Sequence, residues 1–286
     1  MAKVAVSNVN KAPITQESVQ LIAHKALEAL RSQRTIMPVR LRFTSPMLMH
    51  RWSYKAIVEV LAAMTGLKLP QLAKDLTKEF EESWYRNVNG ACGLPCRIVK
   101  ASIAAGARET NGTVGEPTMK KHMRVVGEFS TLHFDGQEDF MQVVEMDVRP
   151  VRVGPWNDRV VDMRARALIP AGAYCDVVLD FGGKLTVDQV ITAAISGGLL
   201  MGCCDSRPEK GGDYGTYEVE PLPIDAATIS SIISACAPPE HEYKIPPELL
   251  HAVNAVPEEE MSDKQRKARA LLNGSGAAER VTEAAE

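Results

Sequence analysis

The sequence predicts an α+β domain in which strands and helices follow one another in the order βαββαβ, giving four antiparallel strands with two helices on one face. Three observations carry that prediction. Apolar and charged residues alternate with a period of two from Val39 to Phe43 and again from Gln142 to Val153. The stretch CDVVLDF, Cys175 to Phe181, is strongly apolar and β-branched. Helical spacing returns after each of the first and third strands, and 286 residues at 45% hydrophobic suffice for one elaborated domain with tails.

Residues 1–38 read as a helical extension, with Val19, Ile22, Ala26, Leu27 and Leu30 on one face from about Thr15 to Ser32. The main domain spans 39–220. Its first strand, Val39–Phe43, stops at Ser45 and Pro46. A helix follows, with Trp52, Ala56, Ile57, Val60 and Leu61 on one face, Ser53 as cap and Gly66 as stop. From about 67 to 139 the rhythm breaks, and this span reads as a long insertion. It holds a polar helix near Gln71 to Trp84, a short apolar helix over Leu94–Ala105, and a glycine-broken basic stretch with Lys120, Lys121 and Arg124. The second strand is Gln142–Val153; the third begins at Met163 and resumes over Ala173–Phe181. Thr186 caps the second helix, which buries Val187, Val190, Ile191, Ala194 and Ile195 and ends at Gly197 and Gly198. The last strand pair surrounds the loop of LLMGCCDSRPEKGGDYGTYEV, Leu199 to Val219. Residues 221–286 form a helical segment, Ala226 to Cys236, a proline-marked connector and a charged tail. Collected, the order is that of a ferredoxin-like domain with a long insertion after the first helix. The alternative is two α+β units split near Asp139.

The loop is the principal functional candidate. Gly202, Gly211, Gly212 and Gly215 permit positive φ and close approach, while Arg207 and Lys210 put cations beside amide donors, a composition suited to a phosphate backbone. The competing reading is a long turn whose glycines serve geometry and whose charges are solvated. A second cationic set is Arg149, Arg152, Arg159, Arg164 and Arg166, opposed within its own stretch by Asp158 and Asp162 alone; a third is Lys120, Lys121 and Arg124. The net charge of -3 and pI near 6.1 supply no global field for nucleic acid, so polyanion binding requires such a local face. No apolar run is long enough to span a bilayer and no signal-peptide core opens the chain, so a cytoplasmic location is expected.

The strand running into SPMLMH, with the glycine-rich loop entering the last strand as RPEKGGDYGTYEV, resembles the RAMP superfamily, the backbone subunits of CRISPR effector complexes. The wording of MLMHRW, GLPCRIVKASI and RPEKGGDYG is also similar to a group of tailed-phage proteins. The superfamily resemblance implies binding of single-stranded nucleic acid along a row of identical subunits. It carries Gly211, Gly212, Tyr214 and Gly215 over as the glycine loop; Arg207 and Lys210 come from this sequence's own composition.

Other chemistry has little support. Six cysteines are too sparse for a disulfide scaffold. Cys92 and Cys96 have the spacing of a first zinc-ligand pair, but His122 and His133 form no compact second pair, and no metal or cofactor is expected. His50 is a candidate base with no nucleophile in a recognisable setting. Glu138 and Asp139 lie in a polar loop, and no GxxxxGK motif exists. The expected function is a non-enzymatic, self-assembling binder of single-stranded RNA or DNA. A structural or adaptor protein is the alternative, motivated by the acidic net charge and an aromatic content of 5%.

Overall fold

The computed structural model describes residues 33–51, 74–110, 114–137, 140–153 and 160–236, with isolated positions at 56, 238, 254, 261–263, 266 and 269. The expected N-terminal helix, most of the helix expected over 53–66 and most of the C-terminal tail lie outside the described residues.

The principal sheet has the order β4-β8-β1-β9, with every neighbouring pair antiparallel. Its strands are β1 (Arg34–Phe43), β4 (Met123–Val125), β8 (Tyr174–Gly182) and β9 (Tyr217–Pro221). The period of two sorts their side chains. Val39, Leu41 and Phe43 join Cys175, Val177, Leu179, Phe181, Met123 and Tyr217 in the core, all essentially inaccessible to water. Two helices, α2 (Cys96–Gly106) and α4 (Val187–Ser196), cross from β1 to β4 and from β8 to β9. They add Val99, Ile103, Val190 and Ala194 to the same core. A capping box starts α4: the Thr186 hydroxyl accepts from the Gln189 amide and the Gln189 side chain accepts from the Thr186 amide. The two helices touch backbone to backbone. A Cβ at Gly106 would sit 2.3 Å from the Ala193 carbonyl oxygen, and one at Gly197 would sit 2.7 Å from that of Ser102. Where Gly197 and Gly198 were expected to end α4, the chain instead continues as a π turn, Gly197–Met201.

The opposite sheet face carries ion pairs. Arg40 forks onto Asp176 at 2.7 and 3.0 Å, and Arg42 reaches Glu220 at 2.7 Å and Asp135 at 2.9 Å. Both guanidiniums lie over the Tyr174 ring, 4.0 and 4.9 Å from its centroid. The C-terminal helix α5 (Ala226–Ala235) packs against β8 and β1.

A second sheet has the order β2-β7-β6, from β2 (Met47–Met49), β6 (Glu145–Val153) and β7 (Val160–Ile169). The helix α1 (Leu76–Glu82) packs on β7, and α3 (Glu116–His122) leads directly into β4. A short pair, β3 (Gly93–Pro95) with β5 (Phe129–Thr131), flanks the start of α2.

Two expectations are corrected here. Gln142–Val153 and the segment from Met163 were expected to be neighbours in one sheet with Val39–Phe43; they pair with each other in the second sheet, while β4 holds the place beside β8. The physical reason is burial: Met123 and Val125 point into the core, whereas Met146, Val148, Val161 and Met163 leave 45, 40, 63 and 43% of their surface in water. The apolar helix near Leu94–Ala105, read as part of an insertion, is the crossover between β1 and β4 and lies at the centre of the core.

Candidate nucleic-acid interface

Register places the hairpin arginines. In the β6–β7 ladder Asp147 stands opposite Arg166, Arg149 opposite Arg164 and Val151 opposite Asp162, so these residues share one face of the ribbon. Like charges directly opposite are unfavourable unless countered. Carboxylates and the glycine loop supply the counterweight. Arg149 donates to Asp147, and to the Tyr214 hydroxyl at 3.0 Å while lying 5.1 Å from that ring's centroid, and both hydrogen bonds raise its pKa. Arg164 lies 3.5 Å from Asp162 and donates to His50 Nε2 at 3.4 Å. Arg166, only 3% exposed, meets Asp205 at 2.8 Å; its Nε has no hydrogen-bond partner among the described residues. Burial lowers the Arg166 pKa and Asp205 opposes that shift.

His50 follows β2 and sits between these cations and Asp205, whose carboxylate is 3.8 Å from its Nδ1. Burial, then Arg166 and Arg164, hold its pKa below the ordinary value, and Asp205 only partly offsets them. A neutral ring, accepting from Arg164 on Nε2, satisfies this arrangement.

Arg152 stands opposite Val161, one position out of phase with Arg149, Arg164 and Arg166.

The glycine loop is pinned rather than open. Cys203 N–H donates to the Gly215 carbonyl, Asp205 N–H to Leu48, Tyr214 N–H to Ser206 and Gly215 N–H to Pro46, all at 2.8 to 3.1 Å. Its amides therefore hold the loop against β2 and its preceding turn, and do not form the row of free donors that the composition suggested. A Cβ at Gly212 would lie 1.9 Å from the Ser206 carbonyl oxygen, and one at Gly215, where φ is +71°, would lie 2.1 Å from that of Cys203. Gly211 ends a short 3-10 turn in the left-handed region. Arg207 is also committed, donating to Glu209 at 3.0 and 2.7 Å and to the Cys204 carbonyl at 2.9 Å. Lys210 is exposed and has no ion pair among the described residues. Two non-glycine residues, Cys204 and Ser206, occupy positive φ at 63° and 51°. Such positions cost on the order of 1–2 kcal/mol each. They flank Asp205, which the loop thereby presents to Arg166 and His50.

A cleft of about 460 Å³ opens beside this cluster, lined by His50, Tyr85, Ser102, Lys120, Asp205 and Glu209 among others. Arg108 bridges Glu116 at 3.3 Å and Glu209 at 2.6 Å, and Lys120 pairs with Glu116 at 2.6 Å. Hydrogen bonds from Arg207 and Arg108 lower the Glu209 pKa. Burial pushes Cys203 up to about 12 and raises Cys204 well above its ordinary value, so both thiols stay protonated at neutral pH. Lys121 and Arg124 are exposed, and Arg124 stands opposite Asp180, which Arg34 already engages.

The structure thus brings Arg149, Arg164, Arg166 and Tyr214 into one cluster, and it adds His50 and Asp205. Lys120 reaches the adjoining cleft. Arg40, Arg42 and Tyr174 form a second Arg–aromatic cluster that sequence reasoning did not select; the alternation of arginines at 40 and 42 was its only signal. Cys92 and Cys96 are buried free thiols, burial pushing Cys92 up to about 12, and no three His, Cys, Asp or Glu residues among those described are grouped to hold a metal.

Fold and site together define an α+β protein with antiparallel sheets and an arginine-faced β-ribbon docked on a pinned glycine loop. No known protein family matches the sequence, and no curated protein matches it either. Among solved structures, the chain is similar to one from the cryo-EM structure of the Type III-B Cmr-beta bound to cognate target RNA. The identity is 13% and the TM-score 0.36, over 72% of this chain and 67% of that one. A likeness of that size fixes neither fold nor function.

Proposed function

We propose that this chain is a non-catalytic protein that binds single-stranded nucleic acid, a divergent phage-associated relative of the RAMP superfamily built on a ferredoxin-like domain. The fold assignment is supported by the strand order β4-β8-β1-β9 with α2 and α4 as crossovers. The observation that carries the function is the opposition of Arg149 and Arg164 across one ladder, with Arg166 beside them and Tyr214 stacked on Arg149. The partly exposed guanidiniums of Arg149 and Arg164 and the Tyr214 ring offer stacking surface to splayed bases, and the same two guanidiniums reach phosphate, while buried Arg166 is held behind them by Asp205; a ribbon face suits a single strand better than a duplex groove. In the free protein Asp147 and Asp162 hold Arg149 and Arg164, so a phosphate must displace these carboxylates. Fluorescence anisotropy with labelled single strands at two salt concentrations tests this reading. Binding that weakens as salt rises supports it, and no binding at low salt removes it.

The second reading, a structural or adaptor protein, has its own observation. The other face of the ribbon exposes Met146, Val148, Val161 and Met163, an apolar surface suited to protein contacts or to the assembly of copies of the chain. Light scattering with and without nucleic acid separates the two, because an adaptor assembles to a mass that does not respond to nucleic acid.

A further inference from the structure

Six cysteines are free, and two of them meet across the fold. Cys96 is the first residue of α2, and Cys236 caps the end of α5. The turn between β4 and β5 brings them together. Cys96 Sγ lies 3.7 Å from the Val126 carbonyl oxygen, and a Cβ on the next residue, Gly127, would meet Cys236 Cβ at 2.9 Å and Sγ at 3.0 Å. Cys96 and Cys236 thus sit on the adjacent residues Val126 and Gly127 of one turn, near enough for each thiol to shift the other's pKa. A side chain larger than hydrogen at position 127 would occupy the seat of Cys236.

Their surroundings differ. Cys96 is 3% exposed, whereas Cys236 is half-buried at the edge of the helix. The third nearby cysteine, Cys175, is fully enclosed on β8 and interacts with Ser130. Of two neighbouring thiols, the more exposed sulfur carries the thiolate more readily. The Cys96 thiol beside it lowers the pKa of Cys236, while Cys236 and burial raise that of Cys96.

We propose that Cys96 and Cys236 are a redox-sensitive dithiol, a modification site that a peroxide converts to a disulfide tying α5 to the start of α2. The Cys236 thiolate attacks one peroxide oxygen, the O–O bond breaks, and Cys236 becomes a sulfenic acid with loss of water or alcohol after proton uptake. Cys96 then attacks the Cys236 sulfur, the S–O bond breaks, and a second molecule, water, leaves with the Cys96 proton. Two thiols are oxidised by two electrons and one peroxide is reduced. The product links positions that are far apart in sequence and fastens α5 over β8 and β1. Reducing thiols reverse it.

The experiment treats the full chain with hydrogen peroxide, blocks remaining thiols under denaturing conditions and maps the peptides by mass spectrometry. The expected result is loss of two of the six titratable thiols, one cross-linked peptide joining Cys96 to Cys236, a higher melting temperature than the reduced protein, and restoration of both thiols by dithiothreitol. Cys236→Ser, at the half-buried position, is expected to fold and to lose the cross-link; Cys96→Ser is the second variant and is expected to stop at the sulfenic acid, trapped by dimedone on Cys236. The proposal is overturned if the wild-type chain retains all its thiols, if the cross-link joins another pair, or if Cys236→Ser loses two thiols as the wild type does.

Discussion

Replacing Arg149 and Arg164 together with alanine separates phosphate contact from folding. Each guanidinium that meets a phosphate of a single strand contributes about 0.7 to the slope of log affinity against log salt, so losing two flattens the slope by about 1.4. Over a fourfold rise in salt, the variant then loses about sevenfold less affinity than the wild type. Stability changes far less. Arg149 and Arg164 are 35 and 25% exposed in their pairs with Asp147 and Asp162, and exposed ion pairs contribute about 0–1 kcal/mol. Removing two cations that face each other also relieves their repulsion, and Asp162 keeps Lys74 as a partner. A melting curve close to wild type, with anisotropy titrations at several salt concentrations, measures both effects. A folded double variant with unchanged affinity and unchanged slope would refute the placement of the interface on this ribbon face. Reduced affinity with an unchanged slope would refute phosphate contact by these two residues.

Other perturbations follow from single features of the loop and its neighbours. Gly215→Ala puts a side chain at φ +71° and a Cβ 2.1 Å from the Cys203 carbonyl oxygen; a loss of at least about 1–2 kcal/mol is expected from denaturant unfolding, and an unchanged midpoint would show that the loop relaxes freely. Arg207→Ala removes hydrogen bonds to Glu209 and the Cys204 carbonyl and is expected to cost about 1 kcal/mol, whereas Lys210→Ala stays within about 0.5 kcal/mol; equal effects would contradict the pairing. His50 has a folded pKa below its ordinary 6.5, so the unfolded chain takes up a proton first. Its contribution to stability is present above about pH 6.5 and is lost as pH falls through the folded pKa. A bound phosphate beside Arg164 would raise that pKa, so binding is expected to strengthen as pH falls through the bound-state pKa of His50 toward that of the free protein. His50→Gln is expected to flatten both profiles, and profiles identical to wild type would exclude His50 from the linkage.

The residues of the proposed interface were partly legible. Arg149, Arg164 and Arg166 stood out as an arginine-rich stretch, and Tyr214 as part of the glycine loop, but nothing in the sequence placed that tyrosine on Arg149, 65 positions away. The pairing of Arg207 with Glu209 spans two residues and was locally available, since opposite charges that close on one loop tend to find each other. Nothing local signalled the meeting of Cys96 with Cys236, which depends on how α5 returns to the sheet.

The sequence by itself determined the elements whose pattern is local: the alternation of β1, the apolar run of β8, the cap of α4 at Thr186 with Val190 and Ala194 buried (Val187 and Ile195, expected on the same face, are exposed), and the helix after Pro221. Hydrophobic periodicity is set by residues a few positions apart, so no partner is needed to read it. The tertiary structure alone decided which strands share a sheet. It placed three-residue β4 beside β8, drew β6 and β7 into a sheet of their own, and set α2 at the centre of the core. Strand partnership depends on which faces can be buried together across long stretches of chain, and on a register in which every side chain changes face with a shift of one residue. The same register put Arg149 opposite Arg164, and the closure of the loop through Gly215 and Pro46 brought Tyr214 and Asp205 to meet them.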